Sequence, residues 1–160
     1  MQLVGMTMNC NPMPHVQSMI LATDNVGMGI LLDPVQAAAV SVNDDFATKD
    51  DPVGLSGCYD NWNQAVHAEM GTTGLIMDAG YGIDVLMTSF HSEASMEEYC
   101  TANPKLGDML WEKGYFGANI HPYETVFVKA NRNVDPILLE RMTEWHTKNP
   151  SNSWDKCRNL

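Results

Sequence analysis

Strand-like and helix-like patterns alternate along this chain, which predicts an α/β domain with a mixed sheet and flanking helices. Three observations carry the prediction. The first residues alternate loosely between apolar and polar, a long middle stretch has apolar residues at helical spacing, and β-branched runs follow glycine turns. With 160 residues the chain has room for one domain and a sizeable core. We place that domain over residues 1–149 and a short tail over residues 150–160.

The elements follow in order. Residues 2–9 read as a strand that begins at once, as if an earlier segment were missing. Residues 15–23, "HVQSMILAT", form a second strand candidate after an Asn-Pro-Met-Pro turn. Asp24 is placed to cap a helix through "NVGMGILL" that stops before Pro34, and "PVQAAAVSV" predicts another short helix. Residues 43–61 are polar and rich in Asp and Gly, a long surface loop. Residues 62–79 carry Ala65, Val66, Met70, Leu75, Ile76 and Ala79 at helical spacing, with Gly71, Thr72, Thr73 and Gly74 weakening the middle and Gly80 as the stop. A buried strand is expected over residues 83–90 and a short acidic helix over residues 95–102. At His121-Pro122 the proline suits a first helical position, although residues 123–132 also read as a strand. Asp135 caps a clearer helix, "PILLERMTEWHTK", that ends at Asn149.

A formal net charge of −11 excludes a nucleic-acid backbone as partner, because nothing here neutralises a row of phosphates. No apolar run is long enough for a transmembrane segment. The opening residues lack the basic-then-apolar layout of a signal peptide. The four cysteines, Cys10, Cys58, Cys100 and Cys157, are scattered without a C-x-x-C pair, which argues against structural zinc. They allow three disulfide pairings or none, so cytoplasm and an oxidising lumen such as the Golgi both stay open.

His67-Ala68-Glu69 has the His-x-Glu form of a zinc deaminase, in which the histidine binds metal and the glutamate shuttles protons. The companion Pro-Cys-x-x-Cys segment is absent, which leaves the deaminase a distant alternative. His67 then reads as a helix-face or core histidine. "GLSGC" around Ser56 lacks both the last glycine and the leading strand of a nucleophile elbow, and reads as a turn. The Asp44-Asp45 and Asp50-Asp51 pairs are expected to be solvated. Trp62, Trp111 and Tyr115 are candidates either for core packing or for stacking on sugar rings.

The stretch "AVHAEMGTTGLIMDAGYGIDVLMTSFHS" places a carboxylate early in a helix, then a Gly-Tyr turn, a buried strand and a histidine. That order resembles the GT-A class of nucleotide-sugar glycosyltransferases. "HVQSMILATDNVG" resembles a segment of polysaccharide-synthesising members, including rhamnan-synthesis-like proteins. "GYFGANIHPYETVFVKANR" resembles the closing motif of a related, largely eukaryotic family. The ordered set runs from Leu3 to Arg132, with Met70 where the class commonly has a second acid. The resemblance implies the C-terminal, acceptor-side part of a GT-A fold, transferring sugar from a nucleotide sugar to a glycan hydroxyl. It implies Glu69 as the base, His15, Gln17 and Ser18 at the acceptor pocket, and His91 as a ligand to a divalent Mn or Mg ion. Lys129 and Arg132 are either phosphate contacts or a surface pair. The donor-binding half, with its Asp-x-Asp motif, is expected ahead of Met1. Its loss would leave the strand at residues 2–9 as an open sheet edge, predicting a homodimer or a separate donor-binding half as partner. A non-catalytic carbohydrate- or partner-binding module on the same scaffold is the alternative.

Overall fold

The computed structural model describes residues 2–40, 42, 44–126, 129 and 133–149. At its centre is a mixed sheet ordered β4-β1-β5. β1 (Leu3–Gly5) runs parallel to β5 (Ile83–Val85), with Gly5 opposite Val85. On its other side β1 pairs antiparallel with β4 (Leu21–Ala22), Gly5 opposite Leu21. A second ladder joins β2 (Met8–Asn9) to β3 (His15–Val16), with Met8 opposite Val16. The α/β class is therefore as the periodicity predicts.

The two long strands expected near the start are each broken. The three steps from Met8 back to Gly5 are matched by five from Val16 to Leu21, so the second chain carries two extra residues. The ladder persists to Gln17, whose N–H reaches the Thr7 carbonyl at 3.0 Å. The excess therefore falls at residues 18–20, a bulge that interrupts pairing. On the other chain the bend follows Gly5, where a Cβ would lie 2.1 Å from Val16 Cγ1. Only a residue without a side chain lets the two ladders cross this closely.

Four of the five helices start on a side chain recognisable in the sequence. Asp24 accepts from the N–H groups of Val26 and Gly27 at the head of α1 (Asn25–Leu31). Asp33 does the same for α2 (Pro34–Ala39), with proline at the first position. Ser95 caps α4 (Met96–Ala102), and Asp135 caps α5 (Pro136–Lys148). α3 (Trp62–Asp78) begins on Asn61, which accepts from Gln64 N. Its weak middle is where it is most enclosed: Gly71 is buried, and a Cβ there would meet Val53 Cγ1 at 2.4 Å and Val42 Cγ2 at 2.9 Å. Leu3, Met8, Val16, Ile76, Val85 and Met87 form the core between sheet and helices.

The strand expected over residues 83–90 stops at Val85. Leu86 and Met87 still donate to the carbonyls of Gly5 and Met6, each at 3.0 Å. Thr88 N–H then turns to the Glu124 carboxylate at 2.7 Å, and residues Thr88–Ser92 form a 3-10 turn. Pro122 opens a short turn, with no helix there. Of the alternative strand at residues 123–132, positions 127, 128 and 130–132 lie outside the described residues. Among the described residues Cys10 is joined to Cys100, with Cα atoms 5.3 Å apart, and Cys58 is free and exposed. Cys157 lies outside them. No described helix is long and apolar enough to cross a membrane.

The open sheet edge expected at the first strand is corrected for β1. β1 is the middle strand, flanked on both sides, so it offers no open edge. The outer strand β5 is itself closed. Leu86 N–H points toward β1, so by alternation the polar groups of Val85 point outward. Val85 N–H donates to Asp84 Oδ1 at 2.8 Å, and Val85 C=O accepts from His91 Nε2 at 3.0 Å. Side chains blunt this edge.

The contact at Gly71 yields a test with opposed signs. Helix propensity alone favours Gly71→Ala by about 1 kcal/mol. Overpacking against Val53 costs roughly 1–3 kcal/mol. We expect Gly71→Ala to lower the urea midpoint, and a rise would show that the loop yields freely to the helix.

Candidate functional site

Glu69 and the stretch from His15 to Ser18 meet where α3 crosses the end of β3. Gln17 N–H points at β2, so the N–H groups of Val16 and Ser18 point away from it, toward an edge with no neighbouring strand. Two side chains of α3 fill that place. Thr73 Oγ1 accepts from Val16 N at 2.8 Å, and Glu69 Oε1 accepts from Ser18 N at 2.7 Å. The match is geometric: two residues along a strand advance about 6.7 Å, and four along a helix about 6 Å. A helix with acceptors at i and i+4 can therefore serve two alternate strand N–H groups. Among the described residues the second oxygen of Glu69 takes no hydrogen bond, and the residue is partly exposed.

The three acceptor-pocket candidates divide. Ser18 is exposed on the bulge beside Glu69. His15 is buried, and its Nδ1–H donates to the Met13 carbonyl at 2.8 Å. Gln17 is buried as well, with its Oε1 accepting from the Thr7 hydroxyl at 2.7 Å. His15 and Gln17 thus hold the β2–β3 hairpin, and Ser18 alone of the three is exposed on the surface.

His67 is a core histidine, 2 % exposed, and its Nδ1–H meets Asp44 Oδ2 at 2.7 Å. The Asp44 side chain is fully buried, which corrects the expectation that Asp44 is solvated. Its other oxygen accepts from Phe46 N at 2.6 Å and Ala47 N at 3.3 Å. Asp51 is also engaged. The Thr48 N–H, then the Thr48 hydroxyl and the Gln64 amide, hold its carboxyl below the usual range. Asp45 and Asp50 are exposed as expected. Asp44 pins the long loop onto α3 and was missed because nothing near it in sequence marks burial.

His91 lies in the 3-10 turn, 52 % exposed, and its nearest acid is Asp84 at 3.7 Å. The Val85 carbonyl only accepts, so Nε2 carries the proton and is not a metal donor in this arrangement. The described residues contain no group of three His, Cys, Asp or Glu side chains able to hold a metal. His91 is the one metal ligand expected on this chain, and its Nε2 proton is committed to the Val85 carbonyl. Cys100, alone in sequence, is spent on its bond to Cys10. Lys129 is partly exposed, and Arg132 lies outside the described residues.

A further cluster surrounds Glu124. Its Oε1 accepts from Thr88 N and from the Tyr115 hydroxyl. Tyr115 O in turn accepts from Ser89 N at 3.2 Å, and the Ser89 and Tyr99 hydroxyls are 3.0 Å apart. Burial first, and then the bond to Glu124, push the Tyr115 phenol above its ordinary value. Burial also raises Tyr99 and Tyr59. Tyr115 is thus tied into the scaffold instead of being presented to a sugar, whereas Trp62 and Trp111 are exposed.

Comparison with protein-family models, with curated proteins and with solved structures gave no match.

Two outcomes follow from these contacts. Asp44→Ala strands the His67 N–H and two backbone donors in the interior. It should cost roughly 3–5 kcal/mol in urea unfolding, the range for breaking a buried pair. Adding His67→Ala should cost much less than its effect alone, because the pair is coupled. Strict additivity would show that the two side chains do not interact. The raised tyrosines give a pH signature. A phenol raised above its unfolded value of about 10 contributes stability below that pH and loses it as pH climbs through the folded value. Phenolate absorbance should therefore show Tyr59, Tyr99 and Tyr115 ionising late, with unfolding free energy falling above about pH 10. Uniform titration of all five tyrosines near 10 would refute it.

Proposed function

We propose that this chain is the acceptor-side part of a GT-A-type glycosyltransferase, moving a sugar from a nucleotide sugar onto a glycan hydroxyl. One observation carries the reading. Glu69 and Ser18, 51 residues apart, are the residues that the resemblance puts at the base and the acceptor pocket, and they are in direct contact. One carboxylate oxygen is held by the Ser18 N–H, which fixes the group's orientation. The other oxygen takes no hydrogen bond among the described residues and is available to accept a proton. An acceptor hydroxyl lying over the bulge would give up that proton to Glu69 as its oxygen attacks the donor carbon. The diphosphate leaves with the bonding electron pair, and no described residue is assigned to hold it. No step is assigned to a metal here. The disulfide supports an oxidising compartment for the domain.

The alternative is a carbohydrate- or partner-binding module without chemistry. The observation in its favour is that Glu69, His15, Gln17 and His91 all make scaffold contacts. Turnover separates the two readings. With the chain joined to a donor half, nucleotide release from a panel of nucleotide sugars should depend on a glycan acceptor. Glu69→Gln keeps a side-chain acceptor for Ser18 N–H but removes the base, so turnover should fall by roughly two to four orders of magnitude with acceptor affinity little changed. Near-normal turnover would eliminate Glu69 as base. No acceptor-dependent release from wild type would leave the binding module.

A further inference from the structure

Away from Glu69, four rings stand in a continuous row where the turn at residues 121–124 meets α5. His121 lies 5.1 Å from Tyr123, Tyr123 lies 5.8 Å from Trp145, and Trp145 lies 5.0 Å from His146, measured between ring centroids. All four are exposed, Tyr123 by 66 % and Trp145 by 49 %. The Tyr123–Trp145 and Trp145–His146 contacts are edge-to-face, and Tyr123 and Trp145 both keep much of their surface open to solvent. Beside it runs a groove of about 580 Å³ lined by Pro122, Leu139, Met142, Thr143, His146 and Thr147 among others, a volume in the range of small-ligand sites. The helix thus lines the groove with apolar side chains, hydroxyls and an imidazole on one face.

We propose that this row and groove form a subsite for a neutral glycan chain. A pyranose ring has an apolar face of C–H groups and an edge of hydroxyls. The rings of Tyr123 and Trp145 suit the face, and Thr143, His146 and Thr147 suit the edge. The surrounding charge fits an uncharged ligand. On α5, Glu144 pairs with Arg141 at 3.3 Å and with Lys148 at 3.9 Å, so among the described residues of this helix the charges offset one another. A second copy of the chain is a poorer occupant, since two molecules of formal charge −11 repel. The subsite deepens the glycosyltransferase reading by giving the acceptor chain a second hold, but it does not depend on Glu69 chemistry.

The test uses the full chain and neutral hexasaccharides of glucose and of mannose as probes. Titration followed by tryptophan indole and histidine NMR signals should show shifts at Trp145 and His146 for at least one probe. Trp145→Ala and Tyr123→Ala should each weaken binding at least tenfold, Trp145→Phe should retain part of it, and Trp62→Ala should leave it unchanged. Thermal unfolding checks that each variant is folded, and Trp145→Phe keeps the test open if the alanine variant is not. No shift with either hexasaccharide overturns the proposal. So do binding that survives Trp145→Ala, or a dimer that this substitution dissolves. Glu69→Gln should bind the hexasaccharide normally. Loss of turnover with binding intact leaves the subsite standing, whereas binding at the row without any transferase activity defeats only the enzymatic reading.

Discussion

The structure depends on how the open edge of β3 is satisfied. Two strand N–H groups, of Val16 and Ser18, find no neighbouring strand, and the buried one, of Val16, would cost about 1–3 kcal/mol without a partner. Thr73 and Glu69 supply the acceptors from a helix. This requirement sets α3 along β3 and brings Thr73 inside as a buried polar residue. It also explains why the middle of α3 is not a clean amphipathic pattern. Its Gly71 faces the returning loop, and the same loop is pinned from within by Asp44 on His67.

The opposite side of the sheet repeats the device with different residues. Asp84 and His91 serve the outward N–H and C=O of Val85, and Glu124 takes the Thr88 N–H that would have continued the strand. Side chains thus take the place of a further strand at these positions. Carboxylates with a scaffold task are therefore common in this protein, and a contact to backbone does not by itself separate structure from chemistry. Glu69 differs from Asp44 in that Asp44 is buried with both oxygens bonded, while Glu69 is partly exposed with one oxygen unbonded among the described residues.

α5 stands apart from this logic. It has no fully buried residue, and among the described residues its cap Asp135 is tied to Asn119 at 3.2 Å. Tyr123 and Trp145 hold the junction through ring contact and stay open to solvent. A helix this exposed contributes little core. Its surface is more informative about what the protein touches than about why it folds.

Helix starts at Asp24 and Asp135 were legible in the sequence, because capping acts within three residues and leaves a local trace. The α/β class was legible for the same reason, since periodicity is local. Strand ends were not, because a ladder stops where its partner stops, and Glu124, 36 residues away, decides where β5 gives way. The pairing of Cys10 with Cys100 and the burial of Asp44 were likewise invisible. So was the choice among His15, Gln17 and Ser18, where tertiary contacts turned two inward and left one exposed. By itself the sequence determined which segments become helices and that they flank a mixed sheet. Only the tertiary structure decided which polar side chains close its edges, because a hydrogen bond across 51 residues depends on how the chain returns and not on the residues beside it.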